Sequence, residues 1–170
     1  MITIVKYTYS KSKYFIDQTL TGVISLVGII IIPIVCFLYD FSTVLPIIFF
    51  ITCVYTFWNS FVAKVNSEIV GISETKVSFE AYGKKDVYSL DKIEKINIRE
   101  FPSSGKMYIR IYNNNKKNRY WIHTKRFEEG LQLFHKLRDV EYTKHPETIK
   151  SKARTVNTRY LALKNEKENK

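Results

Sequence analysis

Residue types that could carry out chemistry are scattered along this chain, and they do not form a recognised catalytic pattern. The segment Ser104-Gly105-Lys106 matches the end of a phosphate-binding loop. The earlier glycine that such a loop requires is replaced by Glu100, and the segment lies between predicted strands rather than before a helix. We therefore expect no nucleotide site there.

The other candidate groups are histidines and a pair of adjacent carboxylates. His123, His135 and His145 lack metal-ligand spacing and have no cysteine partners. Glu128 and Glu129 are neighbours that point to different sides of a helix, so they cannot act together as acid and base. The sequence predicts no catalytic residue, no cofactor and no metal site, and it favours a protein that is not an enzyme.

Basic and aromatic side chains alternate in the second half of the chain, a pattern that suits binding. The basic residues Arg110, Lys116, Lys117, Arg119, Lys125 and Arg126 flank Tyr108, Tyr112, Tyr120 and Trp121. Aromatic stacking with a basic rim suits single-stranded nucleic acid. A domain held beside a bilayer meets anionic headgroups first, and each Lys or Arg there contributes about 1 kcal/mol. In order of preference we expect a solvated cationic surface, lipid headgroup contact through residues such as Lys64, Lys125 and Arg126, and lastly nucleic acid.

Two long uncharged stretches determine where these groups are held. Gln18–Tyr39 and Phe41–Ala63 contain 22 and 23 residues without a charge, and only Asp40 separates them. A helix rises about 1.5 Å per residue, so each stretch reaches about 33 Å, enough to cross a hydrocarbon core about 30 Å thick. The second stretch follows the first at once and no cleavage pattern lies between them, which argues against a signal peptide. The sequence predicts a transmembrane helical hairpin.

The charge distribution predicts the orientation of this hairpin. The net charge is +11, of which residues 1–63 contribute only +1. The connecting turn at 39–43 contains no Lys or Arg, whereas lysines lie outside both spans at Lys6, Lys11, Lys13 and Lys64. By the positive-inside rule, both termini should face the cytoplasm.

Small residues should form the contact between the two helices, because apolar side chains gain little by leaving lipid for each other. The predicted contact residues are Gly22, Ser25 and Gly28 on the first helix and Thr52, Thr56 and Ser60 on the second. Cys36 and Cys53 lie at different depths, so we expect packing residues rather than a disulfide. Pro33 should kink or interrupt the first helix.

The periodicity changes from helix to strand after Ala63. Alternating segments predict short antiparallel strands near 69–72, 77–82, 86–90, 96–99, 107–112 and 119–123. A closing helix should begin at the N-cap residue Thr124, with one apolar stripe formed by Phe127, Leu131, Phe134 and Leu137. Residues 2–9 also alternate, and we expect them to add a strand to an edge of this sheet.

Segments 2–7, 72–79, 88–96 and 108–127 carry a resemblance to a known family. The order of an N-terminal strand, a helical hairpin and these alternating segments resembles the YcxB-like bacterial membrane proteins. The resemblance covers about residues 1–141. It implies a membrane α+β protein in which an antiparallel transmembrane hairpin precedes a small pleckstrin-homology-like antiparallel β-domain closed by one amphipathic helix. It also implies a multi-pass protein of the bacterial inner membrane, and it brings no catalytic residue.

The tail after residue 141 differs from the rest of the chain and extends beyond this resemblance. An apolar stripe with basic residues on its other faces is formed by Ile149, Ala153, Val156, Tyr160 and Leu163. The tail could lie on the membrane interface, dock onto a partner or a second copy, or be disordered. Docking is favoured slightly over disorder.

The predicted organisation has four parts and leads to one preferred function. The parts are an N-terminal cytoplasmic strand (1–17), the hairpin (18–63), the cytoplasmic β-domain (64–141) and the basic amphipathic tail (142–170). We expect a non-enzymatic accessory or scaffold protein that contacts membrane lipid and presents the domain and tail to another membrane or cytoplasmic protein, or to a second copy. The alternatives are a membrane-bound immunity or stress-protection protein against a toxic peptide, and an oligomeric pore.

Overall fold

The structure is a computed structural model that describes residues 4–39, 44–153 and 156–157. Within these residues the chain forms two long apolar helices, two antiparallel sheets and a further amphipathic helix. The architecture is therefore α+β, as predicted.

The two apolar helices are α1 (Lys11–Tyr39) and α2 (Val44–Val62), and both are long and apolar enough to cross a membrane. Only 11% and 6% of their most apolar windows are buried, unlike a core helix of a soluble protein. α1 runs through Pro33 without an interruption of the helix. Residues 40–43 of the predicted turn lie outside the described residues.

α1 begins earlier than the predicted start at Gln18. The backbone N–H of Tyr14 donates to the carbonyl of Ser10 at 2.8 Å, and the ring of Tyr14 is buried in the β-domain. This tertiary contact extends the helix to Lys11, so that Asp17 is a helical residue and the N-terminal strand is shorter than the predicted segment 1–17.

The first sheet contains four antiparallel strands in the order β1-β2-β3-β4. Their bounds are Val5–Thr8 for β1, Ile69–Ile72 for β2, Lys76–Ala81 for β3 and Lys84–Ser89 for β4. Val5 is opposite Ile72 and Tyr7 is opposite Val70, so the prediction that the N-terminal segment adds to a sheet edge is confirmed.

The second sheet contains three antiparallel strands in chain order. Their bounds are Lys95–Phe101 for β5, Lys106–Asn113 for β6 and Lys116–His123 for β7. Asn114 and Asn115 both have positive φ, as the tight turn between β6 and β7 requires. A single 3₁₀ turn at Leu90–Lys92 connects the two sheets.

The core lies between the inward faces of the two sheets. Alternate residues of β5, β6 and β7 are buried, as expected for a sheet that is apolar on one face, whereas most residues of β2 and β3 are buried. Phe79 of β3 stacks on Tyr120 of β7, with ring centroids 4.2 Å apart. The largest fully buried side chains include Ile96, Ile98, Met107, Ile109, Ile111 and Ile122. Each contributes about 1.5–3 kcal/mol by leaving water.

The closing helix α3 (Gly130–Lys144) exists, but the predicted start at Thr124 is wrong. Thr124–Arg126 is a 3₁₀ turn, and Glu129 has a left-handed conformation that precedes the true first turn. A Cβ atom on Gly130 would lie only 1.9 Å from the Thr124 carbonyl oxygen, so the backbone must turn sharply here and only glycine fits.

The later start changes which side chains of the closing helix are buried. Leu131 is 74% exposed, and Phe127 is buried in an extended segment that forms a bridge with Tyr9. The buried residues of α3 are Leu133, Leu137, Val140 and Glu141. Of the predicted stripe, Leu137 is fully buried and Phe134 packs against the core. The prediction that Leu131 faces the core is wrong.

Candidate functional site

The segment that matches part of a phosphate-binding loop is a turn whose carbonyls already have donors. Gly105 lies between β5 and β6, and its carbonyl accepts a hydrogen bond from Thr124 Oγ1 at 2.8 Å. Lys125 Nζ donates to the carbonyl of Ser103 at 2.7 Å. These contacts attach the Thr124–Arg126 turn to the β5–β6 turn, which gives both turns a structural role.

The three histidines lie in separate places. His123 ends β7, His135 Nδ1 lies 2.7 Å from Arg138 Nη2 on α3, and His145 Nε2 accepts the Ile96 N–H at 3.1 Å. Burial lowers the pKa of His123, and the charges of Lys106 and Arg126 lower it further. In the part of the chain that the structure describes, no group of three or more His, Cys, Asp and Glu could hold a metal ion.

A polar contact ties the base of α1 to the β-domain. Tyr9 donates its hydroxyl to Asp17 Oδ2 at 2.8 Å, and Arg126 Nε lies 3.4 Å from the same oxygen. Tyr9 follows β1, Asp17 is on α1, and Arg126 follows β7. Two neighbouring N-terminal segments and the segment after β7, which is more than 100 residues further along the chain, are therefore joined at one carboxylate.

A cluster of aromatic rings extends the polar contact at Asp17. We call this cluster the aromatic joint and define it as Tyr9, Tyr14, Phe61, Tyr82 and Phe127. Neighbouring rings contact each other with centroids 5.2–5.5 Å apart, in edge and tilted geometries. The hydroxyl of Tyr14 donates to the carbonyl of Asn66 at 2.9 Å. Because Tyr14 is on α1 and Phe61 is on α2, the joint holds the domain against the ends of both helices.

Each residue predicted to contact lipid headgroups has a partner within the chain, and Lys64 and Arg126 lie beside the aromatic joint whereas Lys125 contacts the β5–β6 turn. Lys64 Nζ donates to the carbonyl of Tyr82 at 3.3 Å, and Lys125 and Arg126 make the contacts given above. Lys64 and Arg126 therefore lie at the domain ends of the apolar helices, but their charges are partly engaged in holding the joint together.

The predicted helix-packing residues are partly brought together. A Cβ atom on Gly22 would lie 2.5 Å from the ring of Phe61, and one on Gly28 would lie 2.7 Å from Cys53 Sγ. Ser25 and Ser60 are buried, and Thr56 is half-buried. Thr52 is exposed and bonds to the carbonyl of Ile48, so the structure places Cys53 rather than Thr52 opposite the first helix. Both cysteines are free.

The start of the tail is clamped along the edge strand β5. Glu141 Oε1 accepts the Ile98 N–H at 2.8 Å, and Lys150 Nζ donates to the Ile98 carbonyl at 2.5 Å. Lys150 also lies 3.6 Å from Glu141 Oε2, and His145 accepts from Ile96 as described above. These side chains take the place of a neighbouring strand, which protects the edge of the second sheet.

The predicted partner-binding stripe of the tail faces away from this clamp. Residues 149–153 and 156–157 are helical, and Ile149 is 87% and Val156 is 64% exposed. Ala153 is also exposed, whereas Ser151 is buried. Tyr160 and Leu163 lie outside the described residues. The described part of the stripe is therefore open to solvent, while the other side of the segment lies on the domain.

Sequence reasoning missed Asp17 and the side chains that make the tail clamp. Asp17 is the one carboxylate that precedes the long apolar run of α1, which is a signal that it has a partner. Glu141 had no comparable signal, because a carboxylate near the end of an amphipathic helix is ordinary until the sheet edge beside it is seen.

Comparisons with protein-family models, with curated proteins and with solved structures find no match to this chain. The resemblance to YcxB-like proteins therefore stays a prediction, which rests on the order of the elements and on hydrophobic patterns.

Proposed function

We propose that this chain is a non-enzymatic integral membrane protein that holds a small β-domain at the cytoplasmic face and presents its tail to a partner protein. In this proposal α1 and α2 cross the bilayer as a hairpin. The arrangement of four strands, three strands and a closing helix supports a pleckstrin-homology-like domain. An accessory or scaffolding role follows, because such a domain supplies surfaces rather than reactive groups.

The observation that carries the proposal is the two-sided character of the tail segment. One side is attached to the domain by Lys150, which contacts both Glu141 and Ile98. The other side presents Ile149 and Val156, which are largely exposed. An apolar stripe held in a defined orientation loses little conformational entropy on binding, which suits a docking element.

The aromatic joint supports the position of this element relative to the membrane. Tyr82 contacts Tyr14 of α1 and Phe61 of α2, so the domain cannot swing freely on a flexible linker. A partner that recognised the tail would therefore meet it at a set distance from the bilayer, as an assembly subunit requires.

The proposal is tested by site-specific photocrosslinking of the full chain in its native membranes. A photoreactive residue at Ala153 should give one discrete adduct, and Ile149→Asp with Val156→Asp should abolish it. The control is Leu131→Asp, which places one of these two charges at another exposed aliphatic residue, on α3. The control should leave the adduct unchanged, and an adduct of twice the chain mass would identify a second copy as the partner.

Two results would contradict the proposal. If the chain remained in the supernatant after centrifugation of detergent-free membranes, the anchoring part would be wrong. If the yield of adduct were the same with the Ile149→Asp and Val156→Asp substitutions as with Leu131→Asp, the tail would not be the docking element.

A further inference from the structure

The outer face of the second sheet combines cations and aromatic rings in a regular arrangement. β-strand pairing places its twelve described positions in four rows of three, because side chains alternate between the two faces. We call this surface the basic face and define it by Lys95, Asn97, Arg99, Phe101, Lys106, Tyr108, Arg110, Tyr112, Lys117, Arg119, Trp121 and His123.

The charges of the basic face are of one sign. It carries six Lys or Arg residues, and none of its twelve described positions is a carboxylate. No ion pair joins any of these six cations to a carboxylate among the described residues. Arg110 lies over the ring of Tyr108 at 5.2 Å and Lys117 over that of Tyr112 at 5.9 Å, so two of the cations rest on aromatic rings.

One edge of the basic face is attached to the end of α2. The Trp121 N–H donates to the carbonyl of Val65 at 2.8 Å, just after the helix ends. Arg119 Nη2 donates to Asn59 Oδ1 at 3.2 Å, within the last turns of α2. Trp121 and Arg119 therefore lie at the level where α2 leaves its apolar stretch.

The remaining cations are close to this level. Neighbouring strands are about 4.8 Å apart, so β5 lies only about 10 Å from β7. This distance equals the Debye length at about 0.1 M salt, within which an exposed charge still interacts with a charged surface. Arg99, which lies in the row of Trp121, is therefore within electrostatic reach of a bilayer at the end of α2, and the other rows of cations follow at intervals of about 7 Å along the strands.

We propose that the basic face lies against the bilayer surface and binds anionic lipid headgroups, with Trp121 and Tyr108 as interfacial aromatic residues. The inference rests on the proposed function, because it requires α2 to cross the membrane. Tryptophan and tyrosine are enriched at membrane interfaces, and arginine and lysine reach from there to phosphate groups. The same chemistry could bind single-stranded nucleic acid, but attachment to α2 favours lipid.

The chain offers a direct spectroscopic test, because it contains two tryptophans, Trp58 and Trp121. Trp58→Phe leaves Trp121 as the single fluorescent reporter on the basic face. The full-length variant is placed in nanodiscs of phosphatidylcholine alone or of an equal mixture with phosphatidylglycerol. We expect the anionic lipid to shift Trp121 emission to the blue and to reduce its quenching by acrylamide. Salt at about 1 M, where the Debye length is about 3 Å, should reverse both effects.

Charge removal from the face provides the matched comparison. Lys95→Gln, Arg99→Gln and Lys117→Gln remove three exposed cations of the face and should weaken its lipid contact on the order of a hundredfold, at roughly fivefold per cation. Lys76→Gln, Lys85→Gln and Lys92→Gln change the net charge equally at exposed sites elsewhere, and should leave the Trp121 signal unchanged. Unaltered exchange of the buried Ile109 and Ile111 amides would show that the sheet remains folded in both triple variants.

The outcomes separate this inference from the function on which it rests. If the protein stays in the nanodisc but Trp121 is equally quenched with both lipids, the basic face does not bind lipid and the anchored scaffold remains. If Trp121 responds to an added oligonucleotide and not to anionic lipid, the inference is overturned in favour of nucleic acid. If the protein does not insert at all, both proposals are wrong.

Discussion

Val5 and Ile72 are directly opposite each other in neighbouring strands, although both apolar helices lie between them in the chain. The hairpin is therefore an insertion between two adjacent strands of one sheet. The contacts of Tyr9 and Tyr14 extend this closure to the base of α1. Contacts on both sides of the hairpin therefore join the domain to it.

The first prediction concerns the close approach of the helices at Gly22. In Gly22→Ala, the new methyl group would lie 2.5 Å from the ring of Phe61 and 3.1 Å from Ser60 Cβ. Phe61 also contacts Tyr82, so the displaced ring should disturb the aromatic joint as well. We expect a loss of about 1–3 kcal/mol in the free energy of unfolding, measured by thermal unfolding of the full chain in micelles.

A second substitution separates this clash from a general effect of a larger residue. Phe61→Leu should recover part of the loss in the Gly22→Ala background, because it makes room for the methyl group. Val23→Ile adds a methyl group at a neighbouring exposed position and should be close to neutral. Equal losses for Val23→Ile and Gly22→Ala would refute the close-approach explanation.

The second prediction concerns the clamp on β5. Glu141→Ala removes the acceptor of the Ile98 N–H and the charge beside Lys150. Because Glu141 is buried, the amide is left without a partner, and we expect a loss of about 2 kcal/mol. Hydrogen exchange at Ile98 should accelerate in the full chain.

Two variants define how Glu141 acts. Glu141→Gln retains an acceptor oxygen, so it should protect the Ile98 amide better than alanine does. Glu147→Ala removes an exposed carboxylate from the same region and should leave exchange at Ile98 unchanged. Acceleration by Glu147→Ala would point to loosening of the whole tail instead.

The third prediction concerns a chain of hydroxyl groups between the two sheets. Tyr120 donates to Asp86 Oδ2 at 2.8 Å, so Tyr88, at 2.5 Å, must donate to Tyr120 and accept from Asn118. Burial raises the pKa of both tyrosines, which keeps them protonated as donors. Tyr120→Phe should reduce the free energy of unfolding by about 1–2 kcal/mol.

The control for this network is a tyrosine of the same sheet. The hydroxyl of Tyr112 makes no hydrogen bond among the described residues, so Tyr112→Phe should change the unfolding temperature little. If both phenylalanine variants unfolded at the temperature of the parent chain, the hydroxyl chain would contribute nothing measurable to stability.

The fourth prediction concerns the pH dependence of stability at His123. Burial, followed by the charges of Lys106 and Arg126, holds the pKa of His123 below its ordinary value, although a backbone hydrogen bond with Ser104 and the charge of Asp17 oppose this. In the unfolded chain the pKa returns to about 6.5, so the unfolded state takes up a proton first as the pH falls. Stability should therefore be complete above about pH 6.5 and decrease toward the folded-state pKa.

Thermal unfolding of the full chain between about pH 7.5 and about pH 5.5 measures this effect. His123→Gln should flatten the decrease, because glutamine binds no proton in either state. His135→Gln, on the exposed side of α3, should retain the slope. A slope that survived in His123→Gln would place the titrating group elsewhere.

Most of the secondary structure could be predicted from the sequence alone, because it depends on local periodicity. The two uncharged stretches, the alternating strands and the asparagine turn each carry their signal within a few residues. The boundaries that failed, at Lys11 and Gly130, are those set by individual packing contacts that hydrophobic periodicity does not encode. Tyr14 extends α1 because it is buried in the domain, and the close approach to the Thr124 carbonyl delays α3.

The sequence by itself determined that this chain has two segments apolar enough to cross a membrane, followed by a basic β-rich region. Only the tertiary structure decided that one carboxylate, Asp17, joins both halves, that Glu141 and Lys150 cover the edge of β5, and that six cations share a single face. The physical reason is that hydrophobic periodicity is repeated along the chain and can be recognised locally. Hydrogen bonds and ion pairs between distant residues depend on strand register and helix position, which become defined only when the elements pack together.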